Sequence, residues 1–197
     1  LSEVVDAHLV TQVRNKPAII TAGMKDGVDF TAIDSEAFAA PLYKLATFLR
    51  GGTDKAWTID TAIASFSYYY FEHLLWKRFF KDKLNIQYDL VHRITPLSPT
   101  TPSVLAKRLR SIGIPFVVGP LNGGVPWPKE FYSAQMKERE WLSSARSSYK
   151  LLPGYRGTRE HASAIIVGSK DTWNQYAREY KSKLIYMPEN AIDVQRF

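Results

Sequence analysis

Two stretches of the chain combine polar side chains with turn residues in a way that suits ligand chemistry. The first is His92-Arg93-Ile94-Thr95-Pro96-Leu97-Ser98-Pro99, in which an imidazole, a guanidinium and two hydroxyls close a β-branched run. An imidazole in that position can take or lend a proton, or hold an anion. It equally suits a strand histidine that is only hydrogen-bonded in the core, so both roles stay open. Arg93 reads as a surface or ion-pair residue in preference to a substrate clamp. The second stretch is Gly119-Pro120-Leu121-Asn122-Gly123-Gly124-Val125-Pro126-Trp127-Pro128. Its glycines let backbone approach a ligand. Successive N–H groups of Asn122, Gly123 and Gly124 would form a small concavity for a phosphate or a sugar hydroxyl. Standing alone, Asn-Gly-Gly is also a tight turn. Trp127 can stack on a sugar or cover the end of a sheet.

Other chemistries find little purchase. The chain has no Cys, which removes disulfides, thiol nucleophiles and Cys-ligated zinc. Its four histidines, His8, His73, His92 and His161, are scattered without metal-ligand spacing, so no metal is expected. There is no GxGxxG, no Walker-type loop and no defensible Ser-His-Asp order, and no bound cofactor is expected. Twenty-six Lys and Arg against nineteen Asp and Glu leave a formal charge of +7, which favours anionic partners. Because acids are interspersed with the bases and no recognition-helix or stacking signature is present, nucleic acid is not expected among them.

The elements that must position these loops follow from hydropathy. Short apolar, β-branched runs at Ala7–Thr11, Ala18–Thr21, Asp89–Ile94, Phe116–Leu121, Ala164–Gly168 and Leu184–Met187 predict buried strands. Their continuous apolar character suits a parallel sheet covered on both faces. A helix is predicted after Thr101 as cap, with Pro102 at its first position and Gly113 and Pro115 at its end. Leu105, Leu109 and Ile112 share its apolar face, with Lys107, Arg108 and Arg110 elsewhere. A second helix is expected at about Lys170–Lys181. Further helices are expected at Glu36–Arg50 and across the aromatic segment from Trp57 to about Lys83. The alternation predicts an α/β, Rossmann-like, doubly wound fold with a mainly parallel sheet and helices on both faces.

At 197 residues and 45% hydrophobic content, one core and a single domain over 1–197 are expected. No apolar run reaches the roughly eighteen residues of a membrane span, and no signal peptide is visible, so a soluble, cytoplasmic chain is expected. Segment 66–80 sets Tyr68, Tyr69, Tyr70, Phe71, Trp76, Phe79 and Phe80 close to Lys77, Arg78, Lys81 and Lys83. It suits core packing, or a peripheral patch for an acidic membrane or lipid-linked acceptor.

Four features in order carry a resemblance: DLVHRITPLSPTTPS, GIPFVVGPLNGG, ASAIIVGS before a helix, and PENAIDVQRF. Together they resemble family 4 retaining glycosyltransferases of the two-domain GT-B type, over roughly residues 86–197. AHLVTQVRNKPAI looks like that family's second strand. The resemblance implies a transferase that moves a sugar from a nucleotide sugar, its co-substrate, to a glycan or lipid-linked acceptor with retention. This half would shape the acceptor side of the cleft. His92 would be the catalytic candidate, and Thr95, Asn122, Gly123 and Gly124 would line the acceptor pocket. Asn190 and Asp193 would belong to a hinge that leads to a missing C-terminal domain. That domain would carry most donor contacts, so this chain alone is expected to be inactive. Two positions depart from the family pattern. Ile94 stands where many members have a second His, and Ala191 replaces the usual hinge Gly. A sugar-nucleotide epimerase of similar shape and a non-catalytic basic binding module are the rival readings.

Overall fold

Among the described residues every strand pairing is parallel, in a two-stranded and a four-stranded sheet. The computed structural model describes residues 4–38, 40–41, 44, 57–82, 86–123 and 149–188, with main chain alone at 57–64 and 177. The chain divides into two units, Leu1–Ile86 and Gln87–Phe197. It is an α/β protein, consistent with the Rossmann-like architecture read from the sequence. Among the described residues no helix is long and apolar enough to cross a membrane.

In the first unit, β1 (Leu9–Gln12) runs beside β2 (Phe30–Ile33), with Leu9 opposite Phe30 and Gln12 opposite Ile33. A 3-10 turn at Val13–Asn15 leads from β1 into α1 (Lys16–Thr21). The strand expected at Ala18–Thr21 is therefore a helix. Pro17 lies in its first turn, where a fixed φ favours helix entry and the missing N–H costs nothing. The sequence reading also missed β2, whose Phe30 and Ile33 are buried. Two ion pairs, Arg14–Glu36 and Lys16–Asp26, each at 2.6 Å, brace this region on its surface. They hold the Glu36 and Asp26 carboxyls below their usual range.

The aromatic segment is helical, as expected, in α2 (Trp57–Phe79), which packs on β2. Phe80, just beyond it, is buried, and so are Ser65 and Glu72, whereas Phe66 is 45% exposed. The helix therefore serves the core with part of its length and shows aromatic surface with another part. Of the helix expected at Glu36–Arg50, most lies outside the described residues.

The second unit carries β3 (Val91–Arg93), β4 (Phe116–Leu121), β5 (Ala164–Val167) and β6 (Leu184–Tyr186), and their order across the sheet is their order along the chain. Between them lie α3 (Leu105–Ser111), α4 (Tyr155–His161) and α5 (Lys170–Tyr180). Helix α3 packs on α4, and Arg159 of α4 reaches Tyr176 of α5, so these helices neighbour one another in chain order. Leu105, Leu109, Phe116, Val118, Ile165 and Val167 are all at most 3% exposed and form the core between helices and sheet. Lys107, Arg108 and Arg110 are exposed, as the helical period of α3 requires.

Helix α3 begins later than its sequence signals suggest. Its first residue is Leu105, and neither Thr101 nor Pro102 caps it. Instead, Ser103 accepts the Leu105 N–H at 3.1 Å, while its own backbone N–H donates to Thr158 Oγ1 at 2.6 Å. A tertiary bond to α4 thus holds residues 101–103 out of the helix. The stop at Gly113 is as expected, at φ 80°. Ser169 caps α5 by accepting the Thr172 N–H at 3.2 Å.

Candidate functional site

Strands β3 and β4 run in register, with His92 opposite Val117 and Arg93 opposite Val118. Successive side chains on a strand point to opposite faces. Arg93 accordingly turns into the core, 7% exposed, while His92 is exposed. Of the two roles open for His92, the core histidine is thus excluded, and the expectation that Arg93 is a surface or ion-pair residue is corrected, because it is buried. Inside, Arg93 Nη1 donates to the Thr101 carbonyl at 2.9 Å.

The carboxyl end of β4 is irregular in a way that serves His92. Val118 pairs with Ile165 and Leu121 with Val167, so Gly119 and Pro120 together stand opposite Ile166 alone. Such an extra residue bends a strand and frees backbone from the ladder. Gly119 has φ 123°, and a Cβ built on it would collide with the Ile166 carbonyl oxygen. Only glycine fits there. The Gly119 carbonyl accepts from His92 Nε2 at 2.7 Å, which ties the ring to the neighbouring strand. The Thr95–Pro96 and Gly119–Pro120 peptide bonds are both cis.

The two loops that carry the sequence-predicted residues meet. The Asn122 backbone N–H donates to the Leu97 carbonyl at 3.0 Å, and the Gly123 N–H donates to Asn122 Oδ1 at 2.9 Å. The expected concavity of outward N–H groups is thus not formed by Asn122 and Gly123, because both donors are used within the protein. The turn binds the loop after β3. Thr95 is exposed, Asn122 and Gly123 are half-buried, and Ser98 Oγ lies 2.7 Å from Thr100 Oγ1. Gly124, Trp127, Asn190 and Asp193 lie outside the described residues.

Beneath the loop lies an arginine that no sequence signal singled out. Arg159, 8% exposed, donates from Nη1 to the Tyr155 carbonyl at 2.8 Å and from Nη2 to the Pro99 carbonyl at 3.2 Å and to the Tyr176 hydroxyl at 2.8 Å. Its guanidinium lies 3.6 Å from the Tyr155 ring centre and 4.8 Å from that of Tyr176. One planar cation thus joins the loop after β3 to α4 and α5, using a fork and a flat face that lysine lacks. Burial pushes the Tyr176 hydroxyl up to about 12, against the opposing pull of Arg159. Thr158 adds a second clasp: its Oγ1 accepts the Ser103 N–H at 2.6 Å, and its one proton faces the carbonyls of Gly154 at 2.7 Å and Ser103 at 3.0 Å. Ser103 and Pro99 lie 55 and 60 residues from their partners Thr158 and Arg159, which is why local pattern could not reveal these bonds.

The result is an exposed imidazole of fixed orientation, a nearby threonine hydroxyl and an Asn-Gly turn, all at the carboxyl ends of β3 and β4. This set can bind and orient a hydroxylated ligand. Among the described residues no group of His, Asp and Glu could hold a metal ion. A separate shallow concavity in the first unit is lined by Lys77, Arg78, Phe79, Lys81 and Asp82 at the end of α2. Compared with family models, curated proteins and solved structures, the chain matches none.

Proposed function

We propose that this chain is the acceptor-side half of a retaining glycosyltransferase of the GT-B type, which acts in the cytoplasm and moves a sugar from a nucleotide sugar to a glycan or lipid-linked acceptor. The observation that carries this reading is the junction at the carboxyl ends of β3 and β4, where His92 rests on Gly119 and the Asn122 turn holds the Leu97 loop. In open parallel sheets ligands bind outside the carboxyl ends of the strands. His92, Thr95 and Asn122 there carry no fixed charge, Ile94 and Leu97 of the same loop are exposed, and Arg93 is committed to the core. That composition suits sugar hydroxyls better than the phosphates of a donor, whose contacts this reading assigns to a second domain. His92, Thr95, Asn122 and Gly123 line the acceptor side.

The test is transfer by the full-length gene product. Radiolabelled nucleotide sugars are supplied with glycan and lipid-linked acceptors, and the anomeric configuration of the product is read by NMR. Labelled product with retained configuration is expected, together with no transfer by residues 1–197 alone. Epimerisation or hydrolysis without transfer would replace this reading by a sugar-nucleotide epimerase. Salt-sensitive binding to oligonucleotides, without either activity, would replace it by a basic binding module.

A further inference from the structure

The contact between His92 and Gly119 determines more than the orientation of the ring. A carbonyl oxygen only accepts, so a nitrogen 2.7 Å from it must carry the proton. We infer that neutral His92 is held as the Nε2–H tautomer and presents Nδ1 to the ligand as a hydrogen-bond acceptor, with Gly119 as the positioning residue. The inference deepens the proposed function and rests on it for the nature of the ligand, a sugar hydroxyl that donates to Nδ1.

Three observations support the assignment. The acceptor belongs to a backbone site that cannot change side chain, because Gly119 stands at φ 123° against the Ile166 carbonyl. The bulge opposite Ile166 releases the Gly119 carbonyl from the regular ladder to serve a side chain. His92 itself is exposed on the strand, and among the described residues the contact to Gly119 is its one hydrogen bond. The second nitrogen of a histidine commonly sets the role of the first in this way.

The tautomer is measurable without any ligand. Long-range 15N–1H correlation spectra of this chain, recorded where the imidazole is neutral, distinguish a protonated Nε2 from a protonated Nδ1. The Nε2–H pattern is expected for His92, and a predominant Nδ1–H form or an averaged mixture overturns the inference. A pair of variants then separates the two nitrogens by function. His92→Gln can place an amide donor near Gly119 but offers no acceptor where Nδ1 stood. His92→Asn keeps an acceptor near the Nδ1 position but falls short of Gly119.

In the transfer assay with the full-length gene product, H92Q is expected to raise the acceptor KM roughly five- to tenfold, and H92N distinctly less. The reverse order overturns the inference. If the wild-type protein transfers nothing, glycosyl transfer fails as the function, while the tautomer measurement still decides the chemistry of the ring.

Discussion

Replacement of Arg159 by Met tests the idea that a buried cation secures the loop after β3. Two buried groups, the Pro99 carbonyl and the Tyr176 hydroxyl, would lose a charged donor, each loss being worth about 1.5–3 kcal/mol. The Tyr155 carbonyl lies within α4 and keeps its helical partner, so it adds little. Stacking on Tyr155 and Tyr176 contributes roughly 1 kcal/mol, part of which the Met side chain recovers through packing. Because these losses share one side chain, they fall short of their sum, and about 3–4 kcal/mol is expected. At roughly 2–4 °C per kcal/mol for a chain of this size, the melting temperature should drop by roughly 6–16 °C. Urea denaturation gives the free energy, and hydrogen exchange over residues 95–101 reports whether the loop has been released. Arg159→Lys, which keeps the charge but not the fork, should recover only a minor part of the loss. An Arg159→Met variant within about 1 kcal/mol of wild type, or unchanged protection of the loop, would refute the reasoning.

Gly119→Ala combines an unfavourable φ with a collision against the Ile166 carbonyl, and should cost about 3 kcal/mol or more in urea denaturation. Gly113→Ala, at φ 80° with open space around it, isolates the conformational part and should cost about 1–2 kcal/mol. Equal losses at the two sites would rule out the collision. Tyr176 makes stability depend on alkaline pH. Its hydroxyl ionises near 10 in the unfolded chain and about 12 in the folded one, so its contribution is present below pH 10. Stability then falls as pH rises from 10 to 12, by about 3 kcal/mol in all, because the unfolded state releases the proton first. The difference between wild type and Tyr176→Phe across that window measures this effect, and parallel curves would exclude it. The exposed Phe66 and the basic concavity at Lys77, Arg78 and Lys81 predict a preference for anionic over neutral vesicles in flotation, weakened by salt and by Lys77→Glu with Arg78→Glu. Equal flotation with both vesicle types would leave that surface to core packing alone.

Strand positions in the second unit were legible because β3 to β6 are short, largely apolar runs bounded by polar or turn residues, the pattern that a covered parallel sheet favours. The apolar face of α3 was equally clear, since Leu105 and Leu109 keep the helical period. The start of α3 was hidden, because a bond from Ser103 to Thr158 outweighs the capping preference of Thr101. Ala18–Thr21 misled for a different reason: its three apolar residues cannot separate a strand from a helix, and Pro17 decided the matter. At the site, sequence brought forward His92, Thr95 and Asn122 through their position after strands. It could not foresee that the Asn122 and Gly123 N–H groups would be used internally, nor that Arg159 would reach Pro99. Those facts depend on contacts between segments far apart in the chain.

The agreement between strand order and chain order in the second unit bears on how this sheet comes into being. Each new strand docks beside the one made just before it, β4 on β3, β5 on β4 and β6 on β5, so no strand has to wait for a partner synthesised much later. During synthesis the sheet can grow in one direction as the chain emerges, each addition closing one loop. The longest of these closures joins Val117 to Ala164, and it brings α4 with Thr158 and Arg159 onto the earlier loop. Docking of β5 is thus the step at which the loop after β3 acquires its support, and the ribosome must have passed Arg159 before the candidate site takes shape.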